Sequence, residues 1–569
     1  MSGILVDIFP LEVVDNIFLF LSEKTLKRLI HGLNENTELR ALAISRLYNQ
    51  FTVYRVEELA EAAGLNARVG TMCLHGDEEC VKFLREHPSF VSNISNVKLH
   101  VPFFSDYKEY EDIPFRNVEV YMYRCFDPSE IPPNLKLIEV FESDPGMSVK
   151  WPLSLTSIIL YDQTNLKLIE LPRNLRELHC HSLDKLWDLL PPKLEKLELS
   201  LMNLLSHEFI FPESLKELYI EQCYFPHLEE VMTRLPLSLK KLDLLLIGLA
   251  FSSKIFFPES LNELLVRYCS FIDIVQLVAS LPASLKSLKL ELDIGQKLPS
   301  LVFPDSIEEL DLSGCGLDSL EGFKYPKSLS IFRIKNNKIK ELHNSKLLES
   351  LTVLNLEMNQ ISTLSCRFPA LKELYLSRNI LTTMDGTTFP ELEVLDITAF
   401  PSGGIRSIKN VQWPSTLKIL KANGHCISDY GQTRLPKGLE ELEINITGKL
   451  PRLKFPPRLE NLKLTLRAHR KYDVSQIGLP TTLQKLEITN VRSRGLDWKL
   501  PHLEKLKLTN FKGRLRVPKS VRKLNLLVEK GEHLKNISLP LKLYRCGIYC
   551  SSGEFNDALS KLLLDYDSM

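Results

Sequence analysis

Few residues in this chain have the type and spacing to do chemistry. The densest group is His179, Cys180 and His181. In an extended strand, alternate side chains share a face, so the two imidazoles project together and the thiol opposes them. Imidazoles ligate metals, but a metal site needs three or four donors and no clear third is at hand, so no metal is expected. The patterns G-x-x-x-x-G-K, H-E-x-x-H and G-x-S-x-G are all missing. With them go the phosphate cradle, the zinc-hydrolase helix and the nucleophile elbow, so no cofactor and no enzymatic activity are expected. What remains are side chains suited to binding. Tyr121, Phe141, Tyr161 and His181 recur at a spacing of about twenty residues. Lys463, Lys485, Lys505, Lys507 and Lys523 follow a similar spacing near the carboxyl end.

That spacing belongs to a repeat. PESLKELYI at Pro212 to Ile220, PESLNELLV at Pro258 to Val266, PASLKSLKL at Pro282 to Leu290 and PKGLEELEI at Pro436 to Ile444 share the frame P-x-x-L-x-x-L-x-L. The first Leu of the frame recurs from Leu135 to Leu543 with a period of about 21 residues, and weaker copies begin at Ile94 and Phe115. One copy cannot bury its own apolar edge, so successive coils must stack. The Leu at relative positions 1, 4 and 6 point inward, and the last two bracket a short strand. Strands of neighbouring coils then form one parallel, concave sheet. The intervening segments are short, so the convex side is expected to be mostly irregular, with short helices at His227 to Thr233 and Asp273 to Ser280. A proline two or three residues ahead of nearly every anchor suits an extended approach to the strand and excludes helix there.

The middle coils carry a fuller pattern. Leu351, Leu354, Leu356, Asn359 and Ile361 read L-x-x-L-x-L-x-x-N-x-I, with matching sets ending at Asn337 and Asn379. This is the leucine-rich-repeat frame. Its inward Asn amide satisfies backbone groups at the turn after the strand. Cys223, Cys269 and Cys315 fall in the same slot and read as small buried fillers.

The side chains that face outward from the sheet lie two, four and six residues after each anchor. One such row holds Tyr121, Phe141, Tyr161 and His181, and the next holds Glu119, Glu139, Ile159 and His179. Strands about 5 Å apart would stack the rings into an aromatic stripe, the usual kind of interface anchor. Sheet support is the plainer use of such a ladder. The late rows hold Lys463, Lys485, Lys505, Lys507 and Lys523, with Glu441, Glu443 and Glu487 interleaved. They could read an acidic or phosphorylated segment, or form a solvated ladder of alternating charge. The candidate substrate contacts are therefore Tyr121, Phe141, Tyr161, His179, His181, Lys463 and Lys507.

Residues 1–93 stand outside the repeat. Val13, Val14, Ile17, Phe18 and Leu21 fall at helical spacing, with Pro10 where a helix start tolerates it. Ser22 opens a second helix through Leu26, Leu29 and Ile30, and Glu38 to Tyr48 forms a third. Helices are expected at Val56 to Ala63 and Glu78 to His87. The stretch Phe9-Pro10-Leu11-Glu12-Val13-Val14-Asp15-Asn16-Ile17-Phe18-Leu19-Phe20-Leu21 resembles the F-box opening L-P-x-E-[VIL]-x-x-x-I-[FL]-x-x-L. Leu26 and Leu29 continue it. Ile44-Ser45-Arg46-Leu47-Tyr48 resembles its later V-S-R-x-W, with Tyr for Trp and a longer gap before it. The match covers about 45 residues, and its specificity comes from the leucine-rich repeats that follow. The resemblance implies a three-helix module that docks a Skp-family adaptor of cullin–RING ubiquitin ligases. It places that contact at Pro10, Leu11, Glu12, Val14, Ile17, Phe18 and Leu21, with the repeats choosing a protein substrate. The other reading is a leucine-rich scaffold or inhibitor whose first helices only cap the array.

The expected organisation is an F-box-like helical domain over 1–50, a helical linker and cap over 51–93, a solenoid of about 22 short repeats over 94–550 and a cap helix over 551–569. The fold class is α/β, a leucine-rich-repeat solenoid with one parallel sheet behind a small helical domain. The 569 residues carry 71 Lys and Arg against 71 Asp and Glu, which argues against bulk nucleic-acid binding. No apolar run approaches the 18 or so residues of a membrane span, so no membrane partner is expected. The 11 cysteines form no C-x-x-C pair, which suits a reducing, cytoplasmic or nuclear setting.

Overall fold

The computed structural model describes residues 23, 26, 30, 38–50, 52–64, 67–125, 131–132, 134–140, 151–161, 171–181, 190–201, 210–223, 233–245, 256–268, 274–291, 301–321, 323–342, 347–400, 404–430, 433–446, 454–466, 474, 477–528, 537–540, 543 and 545–550. The chain is a leucine-rich-repeat solenoid of parallel strands, and it divides into two compact units. One comprises Met1–Leu246 with Ile255–Leu261, the other Ile247–Lys254 with Asn262–Met569.

In the first unit the strands Thr52–Val53, Val69–Leu74, Ile94–Val101, Val118–Cys125, Leu135–Val140, Ser157–Leu160, Glu177–His181, Lys196–Ser200, Glu217–Glu221 and Lys241–Leu245 pair in that order, each parallel to the next. In the second unit the parallel order runs from Glu263–Arg267 through Ser287–Glu291, Glu309–Asp311, Ile331–Arg333, Val353–Asn355, Glu373–Tyr375, Val394–Asp396 and Ile419–Ala422. It continues through Glu441–Ile446, Asn461–Leu466, Lys485–Thr489, Lys505–Arg516, Lys523–Val528 and Arg545–Cys550. The register sets Leu310, Phe332, Leu354, Leu374 and Leu395 side by side, all buried. Each such Leu withdraws a side chain's worth of apolar surface from water, about 2 kcal/mol apiece.

Three local devices close each turn. The proline opens a tight turn: its carbonyl accepts from the anchor N–H three residues on, as in Leu215 N to Pro212 O at 3.0 Å and Leu261 N to Pro258 O at 3.0 Å. The hydroxyl just before the anchor donates to the anchor carbonyl of the previous turn, as in Ser238 Oγ to Leu215 O at 2.7 Å and Thr482 Oγ1 to Leu459 O at 2.7 Å. That explains the Ser or Thr of P-E-S-L and P-T-T-L, which satisfies a buried carbonyl. The chain then leaves several strands through a left-handed residue seven positions after the anchor, at Tyr268, Asn336, Met358, Arg378 and Asn490 among others. At Gly424 no side chain is tolerated, because a Cβ would lie 2.1 Å from Ala399 O.

The sheet begins earlier than the repeat pattern indicates. Sequence places the first coil at Ile94, yet Thr52–Val53 and Val69–Leu74 already pair in parallel ahead of it. Val69, Met72 and Leu74 supply the inward 1-4-6 spacing without its usual leucines or proline, and all three are buried. The linker therefore contributes strands as well as the helices Val56–Gly64 and Glu78–Glu86. Helix Glu38–Gln50 buries Ala43, Ile44, Leu47 and Tyr48. Its end closes directly on the strand at Gly70, where a Cβ would meet Asn49 O at 2.0 Å. The short helix Ile274–Ala279 forms within the expected segment, whereas residues 227–232 and the tail 551–569 lie outside the described residues.

The slot eight positions after the anchor holds Asn337, Asn359 and Asn379 as buried amides. Asn359 Oδ1 accepts from Ile339 N at 3.0 Å, and its Nδ2 donates to Ile334 O at 2.9 Å and Leu356 O at 3.0 Å. Cys223 and Cys315 take the same slot and donate their thiols to Leu199 O at 3.3 Å and Leu290 O at 3.1 Å. Cys269 lies outside the described residues. His425 also fills the slot: Nδ1 accepts from Ile405 N at 3.1 Å and Nε2 donates to Ile397 O. These partners fix the neutral tautomer with the proton on Nε2.

Candidate functional site

The outward rows of the sheet are the candidate binding surface. In the first unit, a register shift decides which rings meet. The strand Val118–Cys125 sets Tyr121 against Leu137, and Cys125 against Val140. Tyr121 therefore stands beside a position two residues after the next anchor rather than six, contrary to the even spacing of the repeat. Counting from the anchors cannot detect such a slip, because the repeat fixes inward spacing within a coil and not the stagger between two coils. Phe141 itself lies outside the described residues.

Tyr121 stacks instead on residues that precede it. Its ring lies 4.6 Å from that of His100, and His100 lies 4.5 Å from His75, both pairs stacked. Tyr54 extends the stack at 6.4 Å from His75. His100 Nδ1 sits 2.8 Å from the Tyr123 hydroxyl. Burial, with His75 and Lys98 adding to it, holds the His100 imidazole below its ordinary range. The Tyr121 hydroxyl donates to Glu119 Oε2 at 3.1 Å, and burial together with that carboxylate pushes it up to about 12. Sequence reading missed Tyr54 and His75, because their strands lack the leucine frame, and missed His100 although it lies six residues after the weak anchor Ile94. The spacing Val69-x-x-Met72-x-Leu74 was the available signal.

Tyr161 meets His181 edge-on at 5.8 Å. His179 turns to the next strand, with Nδ1 2.9 Å from Glu198 Oε2. That hydrogen bond holds the Glu198 carboxyl below the usual range. Cys180 points inward and is buried, and burial raises its thiol far above the ordinary value. Among the described residues, no three His, Cys, Asp or Glu side chains are placed to hold one metal ion. The following strands present Tyr219, whose ring carries Lys196 Nζ at 5.0 Å and Lys241 Nζ at 5.8 Å.

In the second unit, the row four residues after the anchor alternates in sign. Lys421, Glu443, Lys463, Glu487 and Lys507 stand side by side in register. Lys463 Nζ lies 3.1 Å from Glu443 Oε2, and Lys507 Nζ lies 2.8 Å from Glu487 Oε1. Both candidate lysines are thus paired across strands, the solvated-ladder arrangement. Exposed pairs of this kind add little stability, and each masks a charge from a ligand. Pro10, Leu11, Glu12, Val14, Ile17, Phe18 and Leu21 lie outside the described residues. No helix among the described residues is long and apolar enough to cross a membrane.

No family model matches the chain, and no curated protein matches its sequence. Solved structures do resemble it. The circular leucine-rich-repeat protein CroV588 is 15% identical over 84% of this chain and 81% of its own, with a TM-score of 0.48. YopM from Yersinia enterocolitica is 20% identical over 83% of this chain and 95% of its own, with a TM-score of 0.46. The mouse RP105/MD-1 complex is 13% identical over 84% of this chain and 90% of the matched chain, with a TM-score of 0.45. The fold follows from the parallel strands and the leucine frame of this chain itself.

Proposed function

We propose that this chain is a non-catalytic recognition protein that binds a protein partner on the outer face of its parallel sheet. One observation carries the reading. From turn to turn the inward positions repeat as Leu, while the outward ones change from rings to carboxylates to lysines on the same strands. Strands held by a repeating core are rigid, so a varied outer face can be matched to one partner without an ordering cost.

We further propose that the amino-terminal residues dock a Skp-family adaptor, which makes the chain a substrate receptor of a cullin–RING ubiquitin ligase. The F-box-like sequence Phe9 to Leu21 supports this. So does the seating of Ile44, Leu47 and Tyr48 on helix Glu38–Gln50, which would tie a docked adaptor firmly to the first strands. The burial of those same three side chains also supports the scaffold reading, in which the helices serve only as a cap. Co-expression of the full chain with a Skp-family adaptor, followed by size-exclusion chromatography, separates the two. The receptor reading expects a one-to-one complex that Ile17→Asp abolishes while the melting temperature stays unchanged. A chain that elutes alone, and that Ile17→Asp destabilises, would leave only the scaffold.

A further inference from the structure

The neutral total charge hides a local imbalance. Residues 451–550 carry 23 Lys and Arg against 7 Asp and Glu, within a chain balanced at 71 and 71. The structure sorts these cations. In the row four residues after the anchor, Lys463 and Lys507 are neutralised by Glu443 and Glu487. In the row two residues after it, Lys485 pairs in register with Lys505, and Lys505 with Lys523. The backbone of Arg545 takes the next place in that row. All three lysines are exposed, and among the described residues none of their side chains makes an ion pair or hydrogen bond. Strands about 4.8 Å apart make this a file of like charges, one cation per strand, running across the sheet.

We propose that this file binds an acidic segment of the protein partner, laid across the strands Lys485–Thr489, Lys505–Arg516 and Lys523–Val528. The inference rests on the protein-recognition reading above and names the chemistry of the partner. Charge complementarity supplies the first argument: a neighbouring row uses every opportunity to pair, while this one has no internal counterion. Shape supplies the second. The file is one residue wide and is bordered by the Lys507–Glu487 pair and Asn525, which suits an extended peptide with carboxylates along one edge. A nucleic acid fits less well. The outward positions of Asn461–Leu466, Lys485–Thr489 and Lys523–Val528, and of Lys505–Arg516 up to Thr509, that accompany the lysines are Asn461, Thr465, Thr489, Thr509, Asn525 and Leu527. Among the described residues the single exposed ring beside them, Tyr549, offers a base one place to stack rather than a run of them.

The test uses the full chain and a fluorescein-labelled decaglutamate peptide, read by anisotropy at low ionic strength. A single-stranded DNA 20-mer and a duplex of the same length run in parallel. The proposal expects saturable decaglutamate binding that weakens tenfold or more in the triple variant Lys485→Gln/Lys505→Gln/Lys523→Gln. The control Lys512→Gln/Arg514→Gln, at the end of the strand Lys505–Arg516 that pairs in the second small sheet, should bind as the parent does. No decaglutamate binding, equal loss in both variants, or tighter binding of either DNA through the same lysines would overturn it. None of these changes touches the amino-terminal helices. If decaglutamate binding fails while the parent chain still forms the adaptor complex, only this inference, and not the receptor reading, has failed.

Discussion

Two stretches of the second unit build the same coil differently. From Glu309–Asp311 to Ile419–Ala422 the strands are three or four residues long, and the slot after them is filled by Cys315, Asn337, Asn359, Asn379 or His425 at most turns. From Glu441–Ile446 onward the strands of the main sheet run five to twelve residues, and where the slot is described it holds Val491 or Phe511, both buried. A polar slot residue takes over the backbone groups of a sharp turn, so the strand can stop. An apolar one cannot, so the backbone must find partners further on. It does so in a second small parallel sheet, where Arg492–Asp497, the end of Lys505–Arg516 and Ile537–Ser538 pair. Across these two stretches, the slot side chain and the width of the outer face change together.

The largest expected effect lies in the polar slot. Asn359→Ala strands one N–H and two carbonyls without partners, and should cost about 3 kcal/mol in urea unfolding. The reciprocal change, Val491→Asn, puts an amide where the backbone is already paired and should cost about 2 kcal/mol. If Asn359→Ala proved neutral, the contrast between the two stretches would collapse.

His425 sharpens it through pH. Burial holds its imidazole below the ordinary value, so the folded chain binds fewer protons than the unfolded chain. Its contribution is complete above the unfolded imidazole value of about 6.5 and falls as pH drops through that value towards the folded one. Melting curves from pH 8 to pH 5 should show this loss, and His425→Asn, which installs the amide of the sister turns, should reduce it. A smaller effect is expected on the outer face. Glu487→Lys turns the alternating row into three adjacent lysines and should cost about 0.5 kcal/mol at low salt, vanishing at about 1 M salt. Smallest of all, Lys505→Gln should leave the melting temperature unchanged or slightly raised, because it removes repulsion without breaking a pair.

Much of this architecture was legible because the leucine frame is a direct statement of which side chains leave water. The anchors, the parallel strands and the Asn slot all follow from it. The hydroxyl before each anchor was equally visible in P-E-S-L and P-K-S-V, but its role depends on a carbonyl one coil away. Val69-x-x-Met72-x-Leu74 shows the frame surviving a loss of its residue types, which is why the first strands escaped a search for Leu and Pro. The outer face was legible only in composition. Composition points to Tyr121, but its stacking on His100, and through it on His75, depends on contacts between coils. Charge alone singles out Lys463 and Lys507, yet carboxylates stand opposite them, whereas the side chains of Lys485, Lys505 and Lys523 in the adjacent row have no partner among the described residues.

By itself the sequence determined the coil: its period, its inward side chains and the turn that closes it, because these depend on residues within some twenty positions of one another. Only the tertiary structure decided which outward side chains become neighbours. Those contacts join residues a full turn apart, and the stagger between coils is set by how complete turns pack rather than by any local spacing.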